Sequence, residues 1–133
     1  MIGVIILSQG ALGREFLNAA EHVLGRQSNV RAVCLDWNDE LGTCGERIRS
    51  AIKDVDTGSG VVILTDMLGG TPCNAATAEL DGPNIAVIAG LNLPMLLKLL
   101  TSREGSDLAA VAAAAEDTGR KHIRRASASA SRA

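Results

Sequence analysis

Four short apolar runs separated by helix-like stretches constrain the fold of this chain more than any other feature. The runs are Gly3–Ser8, Val30–Leu35, Gly60–Leu64 and Asn84–Ala89. Continuous β-branched and leucine sequence of this length is typical of strands that are covered on both faces of a sheet. Strand and helix alternate along the chain, which predicts right-handed crossovers. We therefore expect an α/β fold, a doubly wound and mainly parallel four-stranded sheet with helices on both faces.

The first two helices are predicted from apolar residues at helical spacing. One begins near Leu12 and is ended by Gly25, and the other, amphipathic, spans Glu40–Val55. On the first helix His22 falls opposite the apolar residues, so we expect it to be exposed. His122 follows the last helix in a basic stretch, and no polar neighbour is placed to orient it. Neither histidine is a good candidate nucleophile.

Three later helices are predicted from residues that favour helix ends. Thr71 is expected to cap the third helix and Asn92 the fourth, while Ser106 or Asp107 caps the fifth. Glycine commonly follows the last residue of a helix, so the fifth helix is expected to stop at Gly119.

Composition argues against several classes of partner. The net charge is −2, so no overall field favours DNA, RNA or anionic lipid. Trp37 and Phe16 are the only aromatic residues, whereas a base-stacking surface needs several exposed rings. We expect no nucleic-acid partner.

Cysteine usage and the chain start point to the cytoplasm. The three cysteines form no CxxC pair, which suits a reducing compartment and argues against a metal centre. The opening apolar run is too short to cross a membrane and lacks the marks of a signal peptide. We expect a cytoplasmic protein with no metal and no cofactor. One domain is predicted over residues 1–125, with a disordered tail over residues 126–133.

Glycine and polar residues follow three of the predicted strands, in Ser8–Gly10, Thr65–Gly70 and Gly90–Asn92. In open parallel sheets ligands bind at the carboxyl ends of the strands, so these segments are the candidate site. Asp66 leaves a buried strand where the chain turns, and Gly69–Asn74 offers main-chain N–H groups at a helix start. Such a helix start favours phosphate or carboxylate. A glycine turn with a helix cap, and an aspartate bonded to nearby amides, is the alternative interpretation.

Two common phosphate-handling patterns do not fit. The run Gly10–Gly13 is neither GxGxxG nor a Walker loop, because no GK[ST] follows it. Asp66 after the third strand could suggest a response-regulator receiver. A receiver also needs acidic residues after its first strand, where this chain has Ser8 and Gln9.

Longer segments of the sequence resemble one known family. They are "MIGVIILSQG", "DVDTGSGVVILTDMLGGTPCNAA" and "VIAGLNLPMLLKLL". They are similar to the enzyme IIA component of the mannose family of the bacterial phosphotransferase system (PTS), particularly its short single-domain versions. The resemblance covers most of residues 1–125, and "LTDMLGGTPCN" followed by "GLNLPML" is highly specific to that family.

The resemblance implies a phosphocarrier. In the family, a histidine at the end of the first strand takes phosphate from phosphorylated HPr and passes it to a IIB component. The IIC and IID membrane components are reached only indirectly. The resemblance gives Asp66 the role of orienting that histidine. It also implies a homodimer in which Lys121–Arg125 is an antiparallel strand exchanged between subunits. The residues it places around the phosphate are Ser8, Thr65, Gly69, Gly70, Thr71, Asn74 and Asn92.

The chain departs from the family at the acceptor position. Where the family has histidine, this sequence reads Ser8-Gln9-Gly10. Neutral imidazole has a nucleophilic ring nitrogen, whereas the lone pair of an amide nitrogen is delocalised into the carbonyl. We therefore expect that Gln9 takes no phosphate, although its side chain can still hydrogen-bond Asp66.

Three explanations fit Gln9. The chain is a natural, non-phosphorylatable homologue that acts as a regulatory binding module, or it carries a deliberate replacement of histidine in an active carrier. The third explanation, phosphate acceptance at another residue, is the least favoured. The sequence leaves the first two open, and it does not name a sugar, because the membrane components contribute most of that selectivity in the family.

Overall fold

The computed structural model describes residues 1–82 and 84–128 as four strands and five helices. In chain order these are β1 (Gly3–Gln9), α1 (Leu12–Leu24), β2 (Val30–Leu35), α2 (Leu41–Val55), β3 (Val61–Thr65), α3 (Thr71–Thr77), β4 (Ile85–Ala89), α4 (Leu93–Ser102) and α5 (Leu108–Lys121). None of the helices in these two ranges is long and apolar enough to cross a membrane.

The four strands form one sheet in the order β2-β1-β3-β4, and every neighbouring pair is parallel. The chain runs outward from β1 to β2 and then returns to the other side of β1 with β3. The strand order therefore reverses between β1 and β3, and this switch point is where doubly wound sheets bind ligands. The predicted α/β fold is confirmed.

Two apolar layers cover the two faces of the sheet. Along β1, Val4 and Ile6 lie in one buried cluster, whereas Ile5 and Leu7 lie in the other. The first cluster includes buried residues of α1, α4 and α5, and the second includes residues of α2 and α3. Since both faces are covered, the strands are apolar throughout, which is why their sequences show continuous runs rather than alternation.

Two of the three predicted helix caps are confirmed. The Asn92 carboxamide oxygen accepts a hydrogen bond from the Met95 main-chain N–H at 3.0 Å, and Asp107 caps α5 in the same way. The cap predicted at Thr71 is wrong, because Gly70 is the N-cap and Thr71 already belongs to α3. The Gly70 backbone is extended and its carbonyl accepts from the Asn74 N–H at 2.9 Å, so the helix begins without a side-chain cap.

The predicted stop at Gly119 is also wrong, because α5 continues to Lys121. Gly119 serves instead as a point of close contact with α4. A Cβ atom there would lie 2.7 Å from the Met95 Cε, and the Gly119 carbonyl accepts from the Asn92 Nδ2 at 2.9 Å. Close helix packing, and not helix termination, explains this glycine.

Residues 122–128, which follow α5, form no strand within the single chain. Lys121 is the last residue of α5, and residues 122–125 have no strand pairing, so the expected strand Lys121–Arg125 cannot begin at Lys121. A strand formed only with a second subunit stays a prediction. Of the predicted tail, residues 129–133 lie outside the described residues.

Close packing at the start of β1 leads to a stability prediction for Gly3→Ala. A Cβ on Gly3 would lie 2.5 Å from the main-chain oxygen of Val55, which belongs to the last turn of α2. Backbone has little room to move, so we expect the free energy of unfolding to fall by about 1–3 kcal/mol in urea denaturation. Gly42→Ala is the control, because nothing lies within 4 Å of its Cβ position in α2. Equal stability of the two variants would contradict the packing.

Candidate functional site

Three loops meet at the carboxyl ends of β1, β3 and β4. The main-chain N–H of Gln9 donates to the Asp66 Oδ2 at 3.3 Å, which joins the end of β1 to the residue after β3. The N–H groups of Gly90 and Leu91 both donate to the Thr65 carbonyl at 3.1 Å, which joins the loop after β4 to the same place. Thr65 and Asp66 therefore lie at the centre of the candidate site.

The turn after β1 is held by main-chain geometry and by Ser8. Gly10 has a φ of 65°, a conformation that favours glycine, and its N–H donates to the Leu35 carbonyl at 2.8 Å. The buried Ser8 hydroxyl donates to the Gly10 carbonyl and accepts from the Gly13 N–H at 2.8 Å. Ser8 therefore stabilises the turn, and its hydroxyl is already engaged within the loop.

The bond between Gln9 and Asp66 differs from the one expected. The sequence suggested that the Gln9 side chain would contact the carboxylate, but the donor is the main-chain N–H at the end of the strand. Within the described residues the Gln9 carboxamide makes no hydrogen bond. The positions of residue 9 and Asp66 are therefore coupled through the backbone, whatever side chain residue 9 carries.

Two buried oxygen atoms in this site lack hydrogen-bond partners within the described residues. They are the Asp66 Oδ1 and the hydroxyl of Thr65, whose side chain is fully buried. Leaving a buried polar atom unpaired costs about 1–3 kcal/mol, and folded proteins contain few of them. The site can therefore accept hydrogen bonds from a donor that is brought in beside Gln9.

The turn from Gly69 to Asn74, which follows Asp66, presents main-chain N–H donors. Gly69 has a φ of 82°, and its carbonyl accepts from the exposed Asn74 Nδ2 at 3.3 Å. No acceptor in the described part of the chain contacts the main-chain N–H of Thr71 or Cys73. Free N–H groups at the first turn of a helix favour an anion, and here they lie on the segment that follows Asp66.

Asn92 is close to these loops, but its polar atoms are used elsewhere. Its oxygen caps α4 and its nitrogen binds the Gly119 carbonyl in α5. It therefore positions α4 against α5 beside the loop after β4. As with Ser8, side-chain type alone does not separate a ligand-binding residue from one that holds the loop.

Within the described residues neither histidine hydrogen-bonds to Gln9 or Asp66. His22 is exposed in the last turn of α1, and Gln9 precedes the opposite end of that helix. The His122 Nδ1 lies 2.9 Å from the Thr118 carbonyl at the end of α5. Burial raises the pKa of the Cys44 thiol, so this residue stays protonated. Residues 1–82 and 84–128 contain no group of three potential metal ligands.

Comparison with known proteins identifies the family. A family model described as the PTS system fructose IIA component matches residues 3–116. The chain belongs to this family. The resemblance found in the sequence is thereby confirmed, and the chain is a PTS IIA component of the mannose and fructose type.

Two curated relatives agree with this assignment of the IIA chain. This chain is 33% identical over 125 residues to the PTS system mannose-specific EIIAB component of Escherichia coli K12, across 92% of this chain and 39% of that protein. It therefore spans well under half the length of that relative. It is also 33% identical over 105 residues to the PTS system fructose-specific EIIA component of Bacillus subtilis 168, across 78% and 72% of the two chains.

Solved structures show the same fold. An EIIA component from Streptococcus agalactiae is 25% identical, with a TM-score of 0.85 over 94% of this chain and 97% of that one. A mannose/sorbose specific IIA subunit from Enterococcus faecalis is 24% identical, with a TM-score of 0.86 over 95% of each chain. The latter similarity supports the fold alone.

Proposed function

We propose that this IIA chain keeps the phosphate pocket of its family but takes no phosphate, because Gln9 stands where the family has its acceptor histidine. The observation that carries the proposal is the bond between the Gln9 main-chain N–H and the Asp66 carboxylate. It puts residue 9 beside the carboxylate that orients the histidine in the family. The protein would work in the cytoplasm, with HPr and a IIB component as partners.

The proposed chemistry depends on one lone pair. Transfer from phospho-HPr breaks the phosphorus–nitrogen bond on HPr and forms a new one to the acceptor, so the acceptor nitrogen must supply an electron pair. The Gln9 carboxamide nitrogen has no such pair available. His22 and His122 have imidazoles, but neither hydrogen-bonds to Asp66 within the described residues.

Other residues would shape the pocket without reacting. We propose that Asp66 orients an acceptor and that Thr65, Gly69, Gly70, Thr71 and Asn74 line the phosphate side. The unpaired oxygens of Thr65 and Asp66 and the free N–H of Thr71 support these roles. Ser8 and Asn92 would act by holding the loops, because their polar atoms are already bonded.

The bonds that hold the loops together support a second role, that of a regulatory binding module. The bonds that join the loops after β1, β3 and β4 involve only main-chain atoms and Asp66, so they do not depend on a histidine. A chain with Gln9 could therefore still bind its partners. An active carrier in which histidine was deliberately replaced would have the same geometry.

We also propose the exchanged-strand homodimer. β4 is an edge strand, and an open groove of about 440 Å³ runs between it and α5. Exposed apolar side chains border it, with Leu68 on one side and Ile123 on the segment after α5. An antiparallel strand from a second subunit would pair the open edge of β4 and cover this groove.

The proposal is tested by following labelled phosphate from phosphoenolpyruvate through enzyme I and HPr to this chain. We expect no label on the chain with Gln9, because no nitrogen beside Asp66 can accept it. Labelled HPr in the same reaction is the control for an active donor. Label on the unchanged chain would overturn the proposal.

A further inference from the structure

The segment that follows α5 carries two arginines shortly before a serine. The sequence there is Arg124-Arg125-Ala126-Ser127. All of residues 122–128 are exposed, and residues 123–127 form neither a helix nor a strand. The segment therefore presents a hydroxyl group, with two basic side chains just before it, on irregular and accessible backbone.

The positive charges of these two arginines are not balanced within the described residues. Arg120 and Lys121, at the end of α5, form ion pairs of 2.9 and 3.0 Å with side chains four residues earlier in the helix. No carboxylate in the described part of the chain pairs with Arg124 or Arg125. The Arg124 Nε donates to the Lys121 carbonyl at 3.0 Å, a bond to a neutral group. Both guanidinium groups can therefore bind the carboxylates of a partner, which arginine recognises through paired hydrogen bonds.

An arginine three residues before a serine occurs at three places in the chain, and the structure separates the three. They are Arg47 with Ser50, Arg103 with Ser106, and Arg124 with Ser127. The first pair lies inside α2, where Arg47 is held by Asp39 and by the Cys34 carbonyl. In the second pair Arg103 is only 2% exposed and its Nη groups donate to main-chain carbonyls. Of the three pairs, the third alone combines an exposed arginine with irregular backbone.

We infer that Ser127 is a phosphorylation site for a serine/threonine kinase that recognises arginine two and three residues before its serine. The Ser127 hydroxyl oxygen forms a bond to the γ-phosphorus of ATP, the bond from that phosphorus to the bridging oxygen breaks, and ADP leaves. The hydroxyl proton passes to the catalytic aspartate of the kinase. Acidic side chains of the kinase bind Arg124 and Arg125 and select this serine by charge.

Backbone geometry favours the same serine. A kinase has to place the serine hydroxyl in line with the γ-phosphate, so the residues around the serine must fit into the groove of the kinase. Residues 123–127 can do this without loss of a helix or a strand. Ser50 could do so only if α2 unwound, and α2 contributes buried residues to the core.

Phosphorylation would change the charge of the segment proposed as the exchanged strand. A phosphate on serine carries a charge of about −1.5 to −2 at pH 7, which offsets the charges of Arg124 and Arg125. The chain would then have a phosphate switch that draws on ATP and needs no histidine at position 9. The inference goes beyond the proposed function and does not depend on it.

The test treats the whole chain with γ-labelled ATP, Mg²⁺ and a purified kinase of this class. We expect label on the unchanged chain and none on Ser127→Ala. Arg124→Ala should lower kcat/KM for labelling at least about tenfold, because charge-assisted bonds to the kinase are lost. Arg120→Ala, which removes the same charge from an ion-paired side chain of α5, is the matched control and should leave the rate unchanged. The substituted side chains are all exposed, so we expect every variant to fold.

Fragmentation mass spectrometry then locates the phosphate, both on the labelled chain and on the chain isolated from the cells that encode it. We expect phosphate on Ser127 in both samples. Phosphate on another serine in place of Ser127, equal rates for Arg124→Ala and Arg120→Ala, or no phosphate on Ser127 in the chain from cells would overturn the inference. These outcomes leave the proposed function untouched, because a phosphoserine ester survives the acid treatment that hydrolyses a phosphorus–nitrogen bond. Label from the kinase and label from phospho-HPr can therefore be told apart.

Discussion

A Gln9→His variant is expected to take phosphate from phospho-HPr, at a rate at least about 10³-fold above that of the unchanged chain. The imidazole would supply the nitrogen lone pair that the carboxamide lacks. Residue 9 is already held beside Asp66, because the main-chain bond between them does not depend on the side chain. The unpaired Asp66 Oδ1 is available to accept the imidazole N–H. The measurement is the initial rate of label transfer.

Asp66 can be tested within the same background. Adding Asp66→Asn to Gln9→His is expected to lower the transfer rate by about 10²–10⁴-fold, because an amide can present its N–H and favour the wrong imidazole tautomer. The pH dependence of transfer should change as well, which a purely structural role would not produce. Asp81→Asn in the same background is the matched control, since Asp81 is exposed and makes no ion pair within residues 1–82 and 84–128. Equal rates with and without Asp66→Asn would show that the carboxylate does not act on the acceptor.

Arg103→Ala is expected to lower the free energy of unfolding by roughly 1–3 kcal/mol, the cost of leaving buried acceptors without their charged donor. Arg103 follows α4 and is only 2% exposed. Its Nη2 donates to the Ser28 carbonyl at 2.6 Å, and its Nη1 donates to the Ile2 carbonyl at 3.2 Å. These bonds connect the end of α4 to the segments that lead into β1 and β2. Urea denaturation measures the loss.

The control for this variant is Arg31→Ala. Arg31 forms an exposed ion pair with Asp54 at 3.3 Å, and such pairs contribute about 1 kcal/mol or less. Arg103→Met separates hydrogen bonding from packing, because it restores much of the volume but leaves the carbonyl oxygens of Ile2 and Ser28 without their donor. A loss for Arg103→Met as small as that for Arg31→Ala would contradict the role of the carbonyl bonds.

Features that depend on local interactions could be predicted from the sequence. The four strands appear as apolar runs because helices cover both faces, and Asn92 and Asp107 cap their helices through bonds to residues three positions later. Gly119 could not be assigned in this way, because a glycine after a helix and a glycine pressed against another helix are alike in sequence. Its role depends on contact with Met95, far away along the chain.

The same difference between local and long-range contacts explains which features of the site the sequence did not predict. The position of Asp66 followed from the end of β3, but the donor that binds it depends on how β1 and β3 align in the sheet. Trp37 follows β2 closely and is the only tryptophan, a signal that could have marked it. Its approach to Gly10 and the convergence of Arg103 on Ser28 need the folded chain, because they join residues far apart in sequence.

The most direct test of the account locates the phosphoryl group on the Gln9→His variant by fragmentation mass spectrometry after reaction with phospho-HPr. The unchanged chain, treated in parallel, serves as the reference. We predict modification at position 9 of the variant and no modified residue in the unchanged chain. A phosphoryl group on His22 or His122, or an unmodified variant beside fully active HPr, would contradict the assignment of this pocket.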